Sequence, residues 1–313
     1  MVRFLAVFLC LVIVPLSVRS EVLEELETVD SFRIMNEGWL SSLVGTQFEF
    51  LESPVSVAAK DNKLYFIDDV LMGLYVYDMA SQQASNLKSV YKNLDRNSAR
   101  LFVTDDQTLF VIDSFGSQVS KYSLSGSLIT RFYDALNLNV PVDMCINPAN
   151  QHVFIADAFF GHIIEFSATG DPLALHGIKE AGGTQAGRDI VGMACTEDEL
   201  FIVSKLSKNI NVFSFSGKLL RQIPHLEIRS PSSIAVDSYG RVYVSDDFND
   251  QIVIYGRDGG QLERFGRSGL GGVTHFRKIK DLSIDGDYLY VADNLNRSIK
   301  IFIIHPPKES VVN

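Results

Sequence analysis

Cysteine is scarce in this chain: there are three in 313 residues, and one of them, Cys10, lies in the first twenty. Cys145 and Cys195 alone make neither a disulfide scaffold nor a cysteine-rich zinc module. Runs of lysine and arginine are absent, and 38 acidic residues outnumber 28 basic ones. Nucleic acid and anionic membrane demand clustered cations, so neither is an expected partner. Beyond residue 20 no stretch of about 18 apolar residues occurs, so no stable membrane span is expected. A G-x-S-x-G elbow and a glycine-rich phosphate loop ahead of a helix are both missing.

The first segment that is present is a leader. "MVR" carries a basic residue, "FLAVFLCLVIVPL" is an apolar run, and "SVRS" offers Val18 and Ser20 at the −3 and −1 positions of a cleavage site. Residues 1–20 therefore read as a cleavable signal peptide, which predicts a secreted or periplasmic protein. Its loss removes Arg3 and Arg19 and takes the net charge from −10 to −12.

The dominant signal is a repeat. "VYVSDDFNDQIVIY" at residue 242 returns as "LYVADNLNRSIKIF" at 289, and four earlier copies begin at 64, 109, 153 and 200. Aligned on the residue that ends the first strand, the anchors are Asp68, Asp113, Asp157, Ser204, Asp246 and Asp293, spaced 42 to 47 residues apart. Three places before each anchor stands an aromatic residue (Tyr65, Phe110, Phe154, Phe201, Tyr243, Tyr290), and nine places after it stands another (Tyr77, Tyr122, Phe166, Phe213, Tyr255, Phe302). Small apolar runs such as "VSVAA", "VDMCI" and "SSIAV" lie upstream, and glycine turns at Gly126, Gly170, Gly217 and Gly259 lie downstream.

Four strands in about 45 residues, repeated six times, describe propeller blades. The predicted fold is all-β: a six-bladed β-propeller of four-stranded antiparallel blades over residues 53–304, one domain and monomeric. Pro306-Pro307 interrupts the place where blade six needs a fourth strand. Residues 21–52, including "SFRIMNEGWLSSLVG", are predicted to supply that strand, with "EVLEELE" as a short acidic helix or loose tail. Residues 305–313 form a C-terminal tail. The anchor Asp should accept N–H bonds in the turn that follows, with Asn249 or Asn296 taking the left-handed backbone there.

"SPSSIAVDSYGRVYVSDDFNDQIVIYGRDGGQLERFG" resembles an NHL repeat, with its Pro-led inner strand, D-x-x-G turn, V-Y-V-A/S-D and N-x-x-I-x-x-F. "KDLSIDGDYLYVADNLNRSIKIF" matches nearly as well, whereas blade one lacks the glycine turn and blade four has Ser204-Lys205 at the anchor. The resemblance implies an NHL-type six-bladed propeller that recognises proteins, peptides or other ligands. The ubiquitin-ligase activity of some relatives does not carry over, because RING and B-box cysteines are absent.

Six aligned inner-strand residues should ring the channel mouth: Ser56, Arg100, Asp143, Gly192, Ser233 and Asp281. Asp143 and Asp281 fall on opposite blades, with Arg100 beside Asp143 and Asp281 left free for a ligand. Ala58, Phe102, Cys145, Ala194, Ala235 and Ser283 should face the same channel two places along. Phe115, Phe159 and Phe248, each two places after an anchor, are candidates for a recognition surface on that face, where aromatics carry binding energy. Val70, Leu206 and Leu295 hold the equivalent positions, and packing over the neighbouring blade is the plainer expectation for four of the six.

The ligand-binding candidates are thus Arg100, Asp143, Asp281, Ser56, Ser233, Phe115, Phe159 and Phe248, serving a protein, peptide or small molecule without catalysis. The alternative is a calcium-dependent lactonase- or esterase-like enzyme, or a lyase-like one, working in the channel. Two Asp beside an Arg make a thin calcium cage. Peptide-amidating lyases share the architecture but need convergent histidines for zinc, and no His here holds a channel position. No metal, cofactor or catalytic residue is assigned. Cys145 and Cys195 lie on neighbouring inner strands in different alternation phases, which argues against a disulfide. Asn296-Arg297-Ser298 is a glycosylation sequon.

Overall fold

The computed structural model describes residues 22–34, 48–91, 94, 99–178, 189–270, 272 and 274–307. The leader, most of "SFRIMNEGWLSSLVG" and the last six residues lie outside them. The described chain forms six antiparallel blades. Their inner strands are Pro54–Lys60, Ala99–Val103, Pro141–Ile146, Ile190–Cys195, Pro231–Val236 and Ile279–Asp285. The ring closes as a propeller must, by sharing one blade between the chain ends. Blade six runs Ile279–Asp285, Tyr288–Asp293, Ser298–Ile304 and then Leu23–Val29, which pairs antiparallel with Ser298–Ile304. The acidic "EVLEELE" is therefore neither helix nor tail: most of it is the closing strand, with a register shift between Glu25 and Glu27. Ser31–Ile34 and Phe48–Phe50 extend the outer edge of blade one.

The repeat marks are explained by how blades stack. Among the described residues the core is divided into six clusters, one at each blade junction, and every one of them pairs the two aromatic marks. The aromatic three places before an anchor meets the aromatic nine places after the anchor of the following blade. Tyr65 packs with Tyr122, Phe110 with Phe166, Phe154 with Phe213, Phe201 with Tyr255, Tyr243 with Phe302, and Tyr290 with Tyr77. All twelve are buried. One blade cannot bury its aromatic faces alone, so the sequence must repeat for the ring to exist.

The anchors brace two loops at once. Asp68 accepts the N–H groups of Val70 and Leu71 in its own turn, and those of Glu52 and Ser53 in the segment leading to its inner strand. Asp157 and Asp246 repeat this arrangement. The left-handed backbone falls one place later than expected, at Asp250 (φ 53°) and Arg297 (φ 55°). Asn249 and Asn296 instead donate side-chain bonds to the anchor carboxylates at 2.7 and 2.8 Å. Asn296 Nδ2 also donates to the carbonyls of Gly269 and His275, so the sequon nitrogen is committed to the fold.

His225 follows the outer strand of blade four and is 1% exposed, with neither ring nitrogen hydrogen-bonded. Burial, opposed by its own backbone carbonyl and by Asp246 and helped by Lys208, holds its pKa below the ordinary 6.5. A group depressed in the folded state lends stability above its unfolded pKa and withdraws it as pH falls through the folded value. His225 should therefore withdraw stability as pH drops below 6.5. His225→Leu should flatten that part of the curve, which urea midpoints measured at several pH values would show.

Candidate functional site

Five of the six ring residues carry side chains, and these join into a network across the channel. Arg100, from blade two, reaches Asp143 Oδ2 at 3.3 Å, Ser233 Oγ at 3.3 Å and Asp281 Oδ1 at 3.4 Å, and donates to the Ser232 carbonyl at 2.5 Å. Its guanidinium thus bridges blades three, five and six. Asp281 is not free as expected. It accepts from Ser56 Oγ at 2.6 Å, Val57 N–H at 3.1 Å and Ser233 Oγ at 3.0 Å, as well as from its own neighbour's N–H and Arg100.

A rule underlies this network. The ring side chain of one blade accepts the N–H that follows the ring position of the next blade. Ser56 takes Leu101 N–H, Asp143 takes Met193 N–H, Ser233 takes Leu282 N–H and Asp281 takes Val57 N–H, at 2.9 to 3.2 Å. These bonds stitch four of the six junctions. At Gly192 a Cβ would stand 2.9 Å from Ile234 Cγ2, so that junction closes by contact instead. The sequence shows six polar or small residues in register; it does not show that their partners lie one place further along in the next blade.

Burial pushes the Asp143 carboxyl up to about 6, with Arg100 and the Met193 N–H pulling it down and Asp281 adding repulsion. The second-tier residues, Ser283 among them, line the channel below the ring. Ala58, Phe102, Cys145, Ala194 and Ala235 pack into the junction with the following blade. Inner strands place alternate residues against alternate neighbouring blades, so these side chains meet the channel and the junction at once.

Below the ring, toward the ends of the inner strands, the channel widens into a cavity of about 800 Å³. Its floor includes Arg100, Asp143 and Asp281, and its rim includes Lys60, Asp105, Asp106, Glu197, Asp198 and Asp285. Lys60 is held between Asp105 at 2.6 Å and Asp285 at 2.9 Å. Those two carboxylates, Asp105 first, raise its pKa above the ordinary value. The funnel opens away from the anchor loops, so Phe115, Phe159 and Phe248 do not line it. The candidate residues thus divide between two places and do not share the one face expected for them.

The anchor-loop face carries an exposed apolar side chain in every repeat. Val70, Phe115, Phe159, Leu206, Phe248 and Leu295 are all exposed, from 49% for Leu295 to 82% for Phe115. Packing over a neighbouring blade therefore accounts for none of the six. Phe159 stacks edge-on to Phe160, and the Arg229 guanidinium lies 5.0 Å over the Phe248 ring. Lys205, Lys208 and Arg229 are exposed on the same face, where Arg277, Lys278 and Lys280 are half-buried. Burial and the neighbouring Lys278 lower the Lys280 pKa, against the pull of Asp247. Asp250 is partly committed, accepting the Lys278 N–H at 2.7 Å.

Together the ring, the funnel and the loops define a six-bladed β-propeller with two chemically distinct faces. Solved structures agree on the fold. Virginiamycin B lyase from Staphylococcus aureus superposes with a TM-score of 0.59 at 9% identity, over 81% of this chain and 95% of that one. A structure titled streptogramin B lyase gives 0.56 at 13% identity, over 82% and 94%. A Bacteroides thetaiotaomicron protein of unknown function gives 0.64 at 12% identity, over 82% and 70%. At such identities the likeness is one of fold. No protein-family model matches the chain, and no curated sequence matches it.

Proposed function

We propose that the protein is a secreted or periplasmic, NHL-type, non-enzymatic binding propeller that recognises a protein or peptide on its anchor-loop face. The observation that supports this most is the exposed apolar side chain at one repeat position in all six blades. Exposed large apolar side chains gathered on one face are ordinarily kept for partner recognition. The cations of blades four to six stand beside them in a chain of net charge −10. A segment combining acidic and apolar side chains fits both features. Phe115→Ser, Phe159→Ser and Phe248→Ser together should cut capture of the partner by roughly tenfold or more. Because these rings are exposed, the melting temperature should hardly move. Undiminished capture, or a collapse in stability, would remove the loop face as the site.

A second reading places an enzyme in the funnel, supported by its volume and by the lyases among the structural neighbours. Incubation with virginiamycin B tests it directly. Turnover that survives the triple phenylalanine substitution would move the function to the funnel.

A further inference from the structure

Neighbouring inner strands meet in a fixed register. The ring residue and the residue two places on face the following blade, whereas those one and three places on face the preceding blade. Ser56 and Ala58 accordingly turn toward Leu101 of blade two, and Val57 and Ala59 toward Tyr290 and Ala292 of blade six. At the junction of blades three and four, Asp143 accepts the Met193 N–H at 2.9 Å. Cys145 lies two places beyond Asp143 and faces blade four; Cys195 lies two places beyond Met193 and faces blade three. The opposite phases expected to keep the thiols apart are what turn them toward each other. Both pack in one apolar cluster and both line the funnel wall. Cys195 Sγ donates to the carbonyl of Ile146, the residue next to Cys145, at 3.6 Å.

We propose that Cys145 and Cys195, free thiols in this structure, are a redox pair that closes a disulfide between blades three and four when met by a small-molecule disulfide such as oxidised glutathione. Cys195, half-buried at the funnel wall, attacks as the thiolate. It forms a bond to one glutathione sulfur, the glutathione S–S bond breaks, and the first glutathione leaves as a thiolate that takes up a proton. Cys145 then gives up its proton and attacks the Cys195 sulfur, releasing the second glutathione. Two protons and two electrons pass from the cysteine pair to the glutathione disulfide. Burial and the nearby Cys195 raise the Cys145 thiol pKa, which suits the more exposed Cys195 to the first attack. The closed bond joins two blades otherwise held at this depth by packing and the weak Cys195–Ile146 hydrogen bond, and its formation is independent of what the loop face binds.

The test is oxidation of the full chain with oxidised glutathione, read by mass spectrometry of a non-reducing digest, which separates this pair from Cys10. The expected product is a linked peptide carrying Cys145 and Cys195, lighter than its two parts by two hydrogen atoms. It should be cleaved by dithiothreitol and absent from Cys195→Ser, and the oxidised protein should melt several degrees higher. A lasting glutathione adduct on Cys195 with Cys145 still free would overturn the proposal. So would the absence of the link after refolding the reduced, denatured chain in a glutathione redox buffer, where access is not limiting.

Discussion

Replacing Arg100 with methionine should cost the fold about 3–5 kcal/mol at neutral pH, the range for breaking a buried ion pair from one side. Asp143 and Asp281 are both largely enclosed, and the arginine is their shared cation. Methionine fills similar volume but leaves two carboxylates facing each other across the channel. The deficit should shrink in acid. Asp143 is already raised to about 6, and losing Arg100 removes the strongest influence lowering it. A group raised in the folded state contributes stability that is complete below its ordinary value of 3.8 and is lost as pH rises through the folded pKa. The variant should therefore recover stability as pH falls from about 7 toward about 5, the opposite slope to that of His225. Urea midpoints across that range decide the matter. A loss under about 1 kcal/mol at neutral pH would mean the ring does not hold the blades together.

Removing the closing strand should have a larger effect still. Leu23–Val29 covers the outer edge of Ser298–Ile304, and Leu23 packs with Phe302 and Ile304. Without it blade six presents an unpaired apolar edge, and the chain's two ends no longer meet. Deletion of residues 21–29 should abolish cooperative unfolding and yield soluble aggregates by light scattering. Leu23→Ala, which leaves the strand in place, should cost about 2–5 kcal/mol as a core truncation. A truncated protein that melts as sharply as the full chain would show that the ring closes some other way.

The two cases show what the sequence displays and what it hides. Tyr243 and Phe302 could be placed because every blade repeats them, and a repeated mark reports a repeated environment. Leu23–Val29 occurs once and is rich in glutamate, which is depleted in strands, so its pattern pointed to a helix or tail. That an N-terminal strand closes the ring was legible from Pro306-Pro307; which residues form it was not. The ring residues were legible as a set, yet the stitches between Asp143 and Met193 N–H, or Ser56 and Leu101 N–H, join different repeats through backbone atoms. Side-chain identity alone does not register such bonds. Alternation along single strands puts Cys145 and Cys195 out of phase. Across a blade junction the same alternation makes them face.

Hydrogen exchange with and without the captured partner tests the loop-face site most directly, because the two faces of the propeller lie on different peptides. Protection is expected in the anchor loops, around residues 70–72, 115–117, 159–161, 206–208 and 248–250, with the funnel rim unchanged. Protection confined to residues 104–106, 196–198 and 237–240, with the anchor loops exchanging as before, would contradict it and assign recognition to the funnel.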